Sequence, residues 1–162
     1  MSREVAIQKM KEYFQEQRFV EHTLKVLSTA EKIYVGEGLK HDFLWNVVTL
    51  GSIFHDIGIP EALKKHGSLE ALYQEQEGPA VARKLMEETG VRPDIIERVC
   101  YIVGNHHTHK RVDGLDFQII WESDFIVNID EKNITLEPDK VEQAVQENMS
   151  TKTGLRLIRE VL

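Results

Sequence analysis

Three of the seven histidines in this chain fall within four residues, at His106, His107 and His109. A fourth, His55, is followed by Asp56 and closes an apolar stripe in which Leu44, Val48, Gly51 and His55 recur at i, i+4, i+7 and i+11. That spacing puts the imidazole on the inward face of a helix, at its C-terminal end. Asp56 follows about 100° around, where the ending helix lets its side chain turn to the same point. Gly51, one turn earlier, leaves room for a backbone or a ligand to approach. After Pro93, Ile95, Val99 and Ile102 continue into His106, while Ile96, Cys100 and Val103 continue into His107. Both histidines thus extend rows of buried side chains. After Gly114, Phe117, Ile120 and Trp121 share a face with Asp124 and Asn128, and His22 lies one turn before Val26 on the flank of another apolar face.

Any one of these residues has a bland explanation as a hydrogen-bonded core histidine or a paired carboxylate. Taken together, three histidines and two carboxylates must find a shared partner on core-facing positions, because an unpaired buried carboxylate costs at least several kcal/mol. A divalent cation satisfies all of them, and neutral imidazoles with carboxylates suit Mn²⁺, Fe²⁺, Ni²⁺ or Zn²⁺. With Cys100 the only cysteine, a thiolate zinc site and an internal disulfide are excluded. A His/Asp site with open positions is the kind that activates water. The second His-Asp pair, His41-Asp42, precedes a helix and reads as a loop with Asp42 as N-cap.

The elements that must position these residues have a helical period. Amphipathic helices are expected over 3–17, 19–35 and about 42–55, the last stopped by Gly58 and Pro60. Residues 68–90 read as two helices broken at Gly78-Pro79, with Pro79 in the first turn of the second. Pro93 opens a helix to about His107, His109–Gly114 is a polar loop, and a helix follows at about 116–130. Residues 131–137 read as a loop, briefly extended near Asn133-Ile134. Helices follow from Pro138 and over 154–162, where Leu155, Ile158 and Leu162 form a stripe that docks on the domain or makes a homodimer contact. Strand-like alternation is absent, so the expected fold is all-α, a single-domain helical bundle over 1–162. The chain's 162 residues, 41% hydrophobic and 29% charged, suit one soluble domain. A net charge of −7 disfavours duplex nucleic acid, no apolar run approaches a membrane span, and a cytoplasmic location is expected. Trp45 and Trp121 read as core or pocket walls, Phe117 and Phe125 as packing residues, and His66 as solvated.

His22, then Phe54-His55-Asp56-Ile57-Gly58, then His106-His107, then Asp124 resembles the HD-domain superfamily of metal-dependent phosphohydrolases. The resemblance covers about 18–130, with the helices over 138–162 expected to pack on that core. Arg18 one turn before His22, a middle helix from Gly78 to Gly90, and Glu122-Ser123-Asp124 fit the same pattern. It implies an all-helical fold and a metal held by His22, His55, Asp56 and Asp124. His106 and His107 resemble the pair that helps hold a second metal in some members, so one or two divalent ions (Mn, Fe, Ni, Zn or Mg) are expected. Two departures stand out. The middle-segment histidine of two-metal members is replaced by Tyr73-Gln74-Glu75-Gln76-Glu77-Gly78. The lysine that follows the His-Asp motif in cyclic-dinucleotide phosphodiesterases is Ile59, and their Gly-Tyr-Pro signature is missing, which argues against that activity.

The implied function is hydrolysis of a small phosphorylated substrate, such as a nucleotide. Asp56 would ligate the metal or orient the attacking water, and Glu75 or a nearby acid would take a proton. Arg18, Lys64 and Lys110 are the candidate phosphate contacts, and Arg18 leads because it lies one turn from His22. The two lysines read first as solvated loop charges and only second as phosphate contacts. The alternatives are an HD-type di-iron oxygenase and a catalytically weak nucleotide-binding regulatory module.

Overall fold

A computed structural model describes residues 1–162. The chain forms nine α-helices and no strand: α1 (Arg3–Tyr13), α2 (Gln17–Gly36), α3 (Asp42–Phe54), α4 (Ile59–His66), α5 (Ala71–Glu87), α6 (Pro93–Val103), α7 (Leu115–Glu131), α8 (Pro138–Asn148) and α9 (Lys152–Val161). A single 3₁₀ turn, His109–Arg111, lies between α6 and α7. No helix is long and apolar enough to cross a membrane.

The periodic apolar faces bury as expected, into two adjoining cores that both use α2, α3 and α7. The larger gathers Met10, Leu27, Ile53, Phe54, Ile102 and Phe117. The smaller joins Ile33, Val48, Ile119 and Ile129 to Val145 and Ile158 of the last two helices. These central helices carry His22, His55 and Asp124, so burial of their apolar rows fixes where those polar side chains meet. Gly51 gives close approach, and its occupant is the Ile120 side chain: a Cβ there would lie 2.5 Å from Ile120 Cδ1.

Four local expectations are corrected. Gly58-Pro60 ends one helix and also begins another, α4, in which Pro60 occupies the first turn and needs no N–H partner. Helix α5 runs through Gly78-Pro79 without a break. An interior proline costs about 3 kcal/mol, and here packing on both sides outweighs it. The backbone of Gly78 is so close to Gly58 that a Cβ on Gly58 would fall 2.7 Å from Gly78 N, and Cys100 Sγ donates to the Pro79 carbonyl at 3.5 Å. Helix α6 stops at Val103, with Gly104 as cap, so His106 and His107 belong to the following turn and not to the helix rows. The cap of α3 is His41, whose Nδ1 accepts from the Leu44 N–H at 3.3 Å, and not Asp42. Residues 132–137 form a loop, as expected.

The end of α7 explains that segment. Asn133 takes a left-handed φ of 47°, its N–H donates to the Asp130 carbonyl, and the Ile134 N–H reaches back to Ile129 O at 3.2 Å. This is a Schellman ending, with Asn tolerated where glycine is usual and an apolar contact between its two ends. Beyond it, α9 is clasped by two carboxylates. Glu122 of α7 is fully buried and accepts from the Thr151 hydroxyl at 2.8 Å. Glu37, the cap of α2, accepts from the N–H groups of Lys152 and Thr153.

Candidate metal centre

The turn His55–Gly58 between α3 and α4 presents both its polar side chains to the interior, His55 being 1% and Asp56 8% exposed. His55 Nδ1 donates to the Ser52 carbonyl at 2.7 Å. That bond puts the lone pair on Nε2, which is buried and makes no hydrogen bond of its own. His106 is built the same way from the turn after α6: Nδ1 donates to Val103 O at 2.7 Å, and Nε2 faces Asp56 Oδ1 at 3.1 Å. His22, on α2, has its Nδ1 against Glu131 Oε2 and its Nε2 against Asp124 Oδ1, both at 3.0 Å. Asp56 Oδ2 lies 3.2 Å from His55 Nε2 and 3.5 Å from His22 Nε2. Three imidazoles are therefore anchored at their outer nitrogens by oxygen acceptors while their inner nitrogens converge on two carboxylates. This is the arrangement by which outer contacts orient metal-ligating histidines.

Two donor groups result: His22, His55 and Asp56, and Asp56, His106 and His107, sharing Asp56. Asp124 adds a carboxylate to the first. His107 sits at the rim. The Gln74 amide is oriented by its Nε2, which donates to Leu69 O at 2.7 Å, so Oε1 faces His107 Nε2 at 3.0 Å. His107 Nε2 therefore carries the hydrogen and Nδ1 the lone pair. Burial and the neighbouring His106 push the His107 pKa down to about 4, keeping the ring neutral at physiological pH.

The other groups are tuned oppositely. Burial would lower the pKa of His22 and of His55, yet the Asp56 and Asp124 carboxylates raise both, His55 well above the usual imidazole range. Burial would raise the two aspartates, yet the histidines hold Asp56 and Asp124 far below the usual carboxylate range. Carboxylates kept charged in the interior, opposite imidazoles that protonate readily, make a pocket that demands positive charge. The orphaned His55 Nε2 and the nitrogen–oxygen donor set fit a divalent cation of the first transition row.

Of the other sequence candidates, Arg18 lines the cleft that opens onto His22, Asp56, His107 and Asp124, a space of about 420 Å³. Its guanidinium bonds Glu16 at 2.8 Å and lies over the Phe19 ring. Glu75 does not point into that cleft; it accepts from the His107 N–H at 2.9 Å and the Thr108 hydroxyl at 3.0 Å, fixing the histidine turn. Glu77 pairs with Lys65 and His66, and His66, expected to be solvated, stacks on Tyr73. Lys64 lines a separate groove beside Phe14 and Phe19, and Lys110 is exposed in the 3₁₀ turn. Sequence reasoning missed Gln74 and Glu131. Gln74 stands on the buried row Gln74, Gly78, Ala82, Met86 of α5, the same signal that exposed His55. Glu131 follows Asp124 by seven residues on one face of α7.

The chain matches the family model described as HD domain over residues 19–150. Its structure is similar to the crystal structure of a predicted HD superfamily hydrolase from an uncultured Thermotogales bacterium. The TM-score is 0.67 at 16% identity, covering 96% of this chain and 82% of that one, a likeness of fold. No curated protein matches it. The helices, the order of His22, His55-Asp56, His106-His107 and Asp124, and the family match agree: the chain belongs to the HD-domain family.

Proposed function

We propose that this protein is a metal-dependent phosphohydrolase of the reducing cytoplasm that acts on a nucleotide or another small phosphate ester. The observation that carries the reading is the convergence of three outward-anchored imidazoles on two carboxylates, the buried Asp56 and the half-buried Asp124. The similar Thermotogales protein is described as a hydrolase, which supports the class. His22, His55, Asp56 and Asp124 would hold one ion, and Asp56, His106 and His107 a second. A divalent cation there supplies Lewis acidity, polarising a phosphoryl oxygen and lowering the pKa of water.

The chain's own residues do the rest. Asp56 orients the attacking water, whose oxygen forms a bond to phosphorus as the bond to the leaving oxygen breaks, and the proton the water gives up ends on that leaving oxygen to make the alcohol. Arg18 contacts the phosphate from the cleft wall. Glu75 acts on His107 through the backbone, as a positioning residue, and any role in proton transfer is secondary to that. Lys64 and Lys110 stand outside the cleft and leave the phosphate to Arg18.

Elemental analysis of protein purified without an affinity metal, followed by phosphate release from a nucleotide panel, tests the reading. One or two equivalents of manganese, iron, nickel, zinc or magnesium are expected, with both metal and turnover lost in His55→Ala and Asp56→Ala. No metal after reconstitution would overturn it, and tight nucleotide binding without product would assign a regulatory module instead. One observation favours a second reading: Asp56 is shared by two donor groups. Two bound irons with oxygen uptake and no phosphate release would make the protein a di-iron oxygenase.

A further inference from the structure

The metal centre borders two clefts of different chemistry. The one carrying Arg18 is polar and also contains Gln74, Asn128, Glu131 and Lys132. The second, about 270 Å³, is walled by Trp121, Phe125, Ile129 and Ile134 and reaches His106. His107, Asp124, Asn128 and Lys132 line both, so the two spaces meet directly above the ligand cluster.

The walls of the second cleft are held by the chain itself. Trp121 Nε1 donates to Asn148 Oδ1 at 3.1 Å, and its ring lies against His109 at 4.8 Å. Ile134 is set over the cleft by the left-handed Asn133 and the bond from Ile134 N to Ile129 O. Asn128 donates its amide nitrogen to Asp124 O at 2.8 Å and Oδ1 at 3.0 Å, which leaves its side-chain oxygen as an acceptor. Aromatic and aliphatic walls with a few fixed polar groups are what an organic ligand's ring requires, and drug-sized ligands take roughly 300–1,000 Å³. A space just below that range holds about one ring system.

We infer that the Trp121–Phe125–Ile134 cleft seats a planar or apolar ring of the substrate while its phosphate lies on the Arg18 side. The preferred substrates are then ring-bearing phosphate monoesters, nucleotides among them, over phosphates of small polyols. The inference rests on the phosphohydrolase reading for the position of the phosphate, but not for the ring's seat.

Two measurements separate them. Benzylphosphonate and ethylphosphonate, neither hydrolysable, are titrated against the manganese-loaded protein while tryptophan emission is followed. Benzylphosphonate is expected to bind at least 10-fold more tightly and to change the Trp121 signal. Trp45, packed against Tyr34 at 5.0 Å, supplies a constant background, and Trp121→Phe removes the response. Ile134→Trp, which fills the cleft and, because it adds a tryptophan, is followed by titration calorimetry, is expected to abolish the preference. Turnover of benzyl phosphate against ethyl phosphate, whose leaving alcohols are similar in acidity, should show the same 10-fold preference in kcat/KM, lost in Ile134→Trp. Equal binding of the two phosphonates, or a preference that survives Ile134→Trp, overturns the inference. Ring-selective binding without any ester hydrolysis upholds the cleft and overturns the phosphohydrolase reading.

Discussion

Gly58→Ala places a methyl group where two helices touch. The residue has an ordinary helical φ of −75°, so no backbone strain attends the change. A less flexible unfolded chain would by itself stabilise the protein by about 0.4–1 kcal/mol. Against that, the new Cβ would lie 2.5 Å from Gln74 O, 2.7 Å from Gly78 N and 2.9 Å from Gly78 Cα. All three are backbone atoms of α5, which cannot rotate away. Overpacking of this kind costs about 1–3 kcal/mol, so a net loss of about 1–2 kcal/mol is expected. For a chain of this size that lowers Tm by about 2–8 °C. The displacement also draws Gln74 away from His107 and loosens the rim of the metal centre. Gly78→Ala is the comparison: its Cβ would meet a methyl of the fully buried, β-branched Val103 at 2.7 Å, so a loss of similar size is expected without the clash on the α5 backbone. Differential scanning calorimetry with metal analysis on both variants checks this. A Gly58→Ala protein that melts at or above wild type with unaltered metal content would refute the reasoning.

Glu131→Gln removes the charged acceptor behind His22 and is expected to weaken metal binding about 10–100-fold, measured by titration calorimetry, with the fold unchanged in circular dichroism. The metal-free protein has a stability window set by its centre. The raised His22 and His55 contribute stability that is complete below about pH 6.5 and is lost as pH rises through their folded values. The lowered Asp56 and Asp124 contribute stability that is complete above about pH 3.9 and is lost as pH falls. Tm of the metal-free protein should therefore fall on either side of that window, and added metal should restore the alkaline side only. The same groups make metal binding release protons, so affinity should rise with pH, and binding enthalpy should depend on the buffer. Arg98→Met leaves Asp116, 6% exposed and gripped at 2.7 and 2.8 Å, without its counterion. A loss of about 2–4 kcal/mol in urea unfolding is expected.

His55 and Asp124 are legible because a polar side chain in an apolar row has few reasons to be there; Asp56 and His106 stand in turns beyond their helices and are legible by an order that matches one family. The rim was harder to read. Glu75 and Gln74 are adjacent, and α5 turns the glutamine to the His107 ring and the glutamate to its backbone N–H; only the row through Gly78, Ala82 and Met86 tells them apart. The continuity of α5 was hidden because Gly78-Pro79 is a breaker by local propensity, and the close approach of Gly58 that offsets it comes from 20 residues upstream. Helix α4 was hidden for the opposite reason: Pro60, read as a stop, lies in the first turn of a new helix. The two clefts have no sequence signature at all. They arise where the end of α7 folds back, and the only local trace is Asn133.

The two carboxylate clasps on α9 have a consequence for the order of events during synthesis. Glu37 ends the helix that carries His22, and Glu122 lies two residues before Asp124. Until Thr151, Lys152 and Thr153 leave the ribosome, Glu37 lacks the N–H donors of α9 and the buried Glu122 keeps only the Gln118 amide, at 2.8 Å. The two helices that hold opposite sides of the ligand cluster are thus tied into register by a segment made after both.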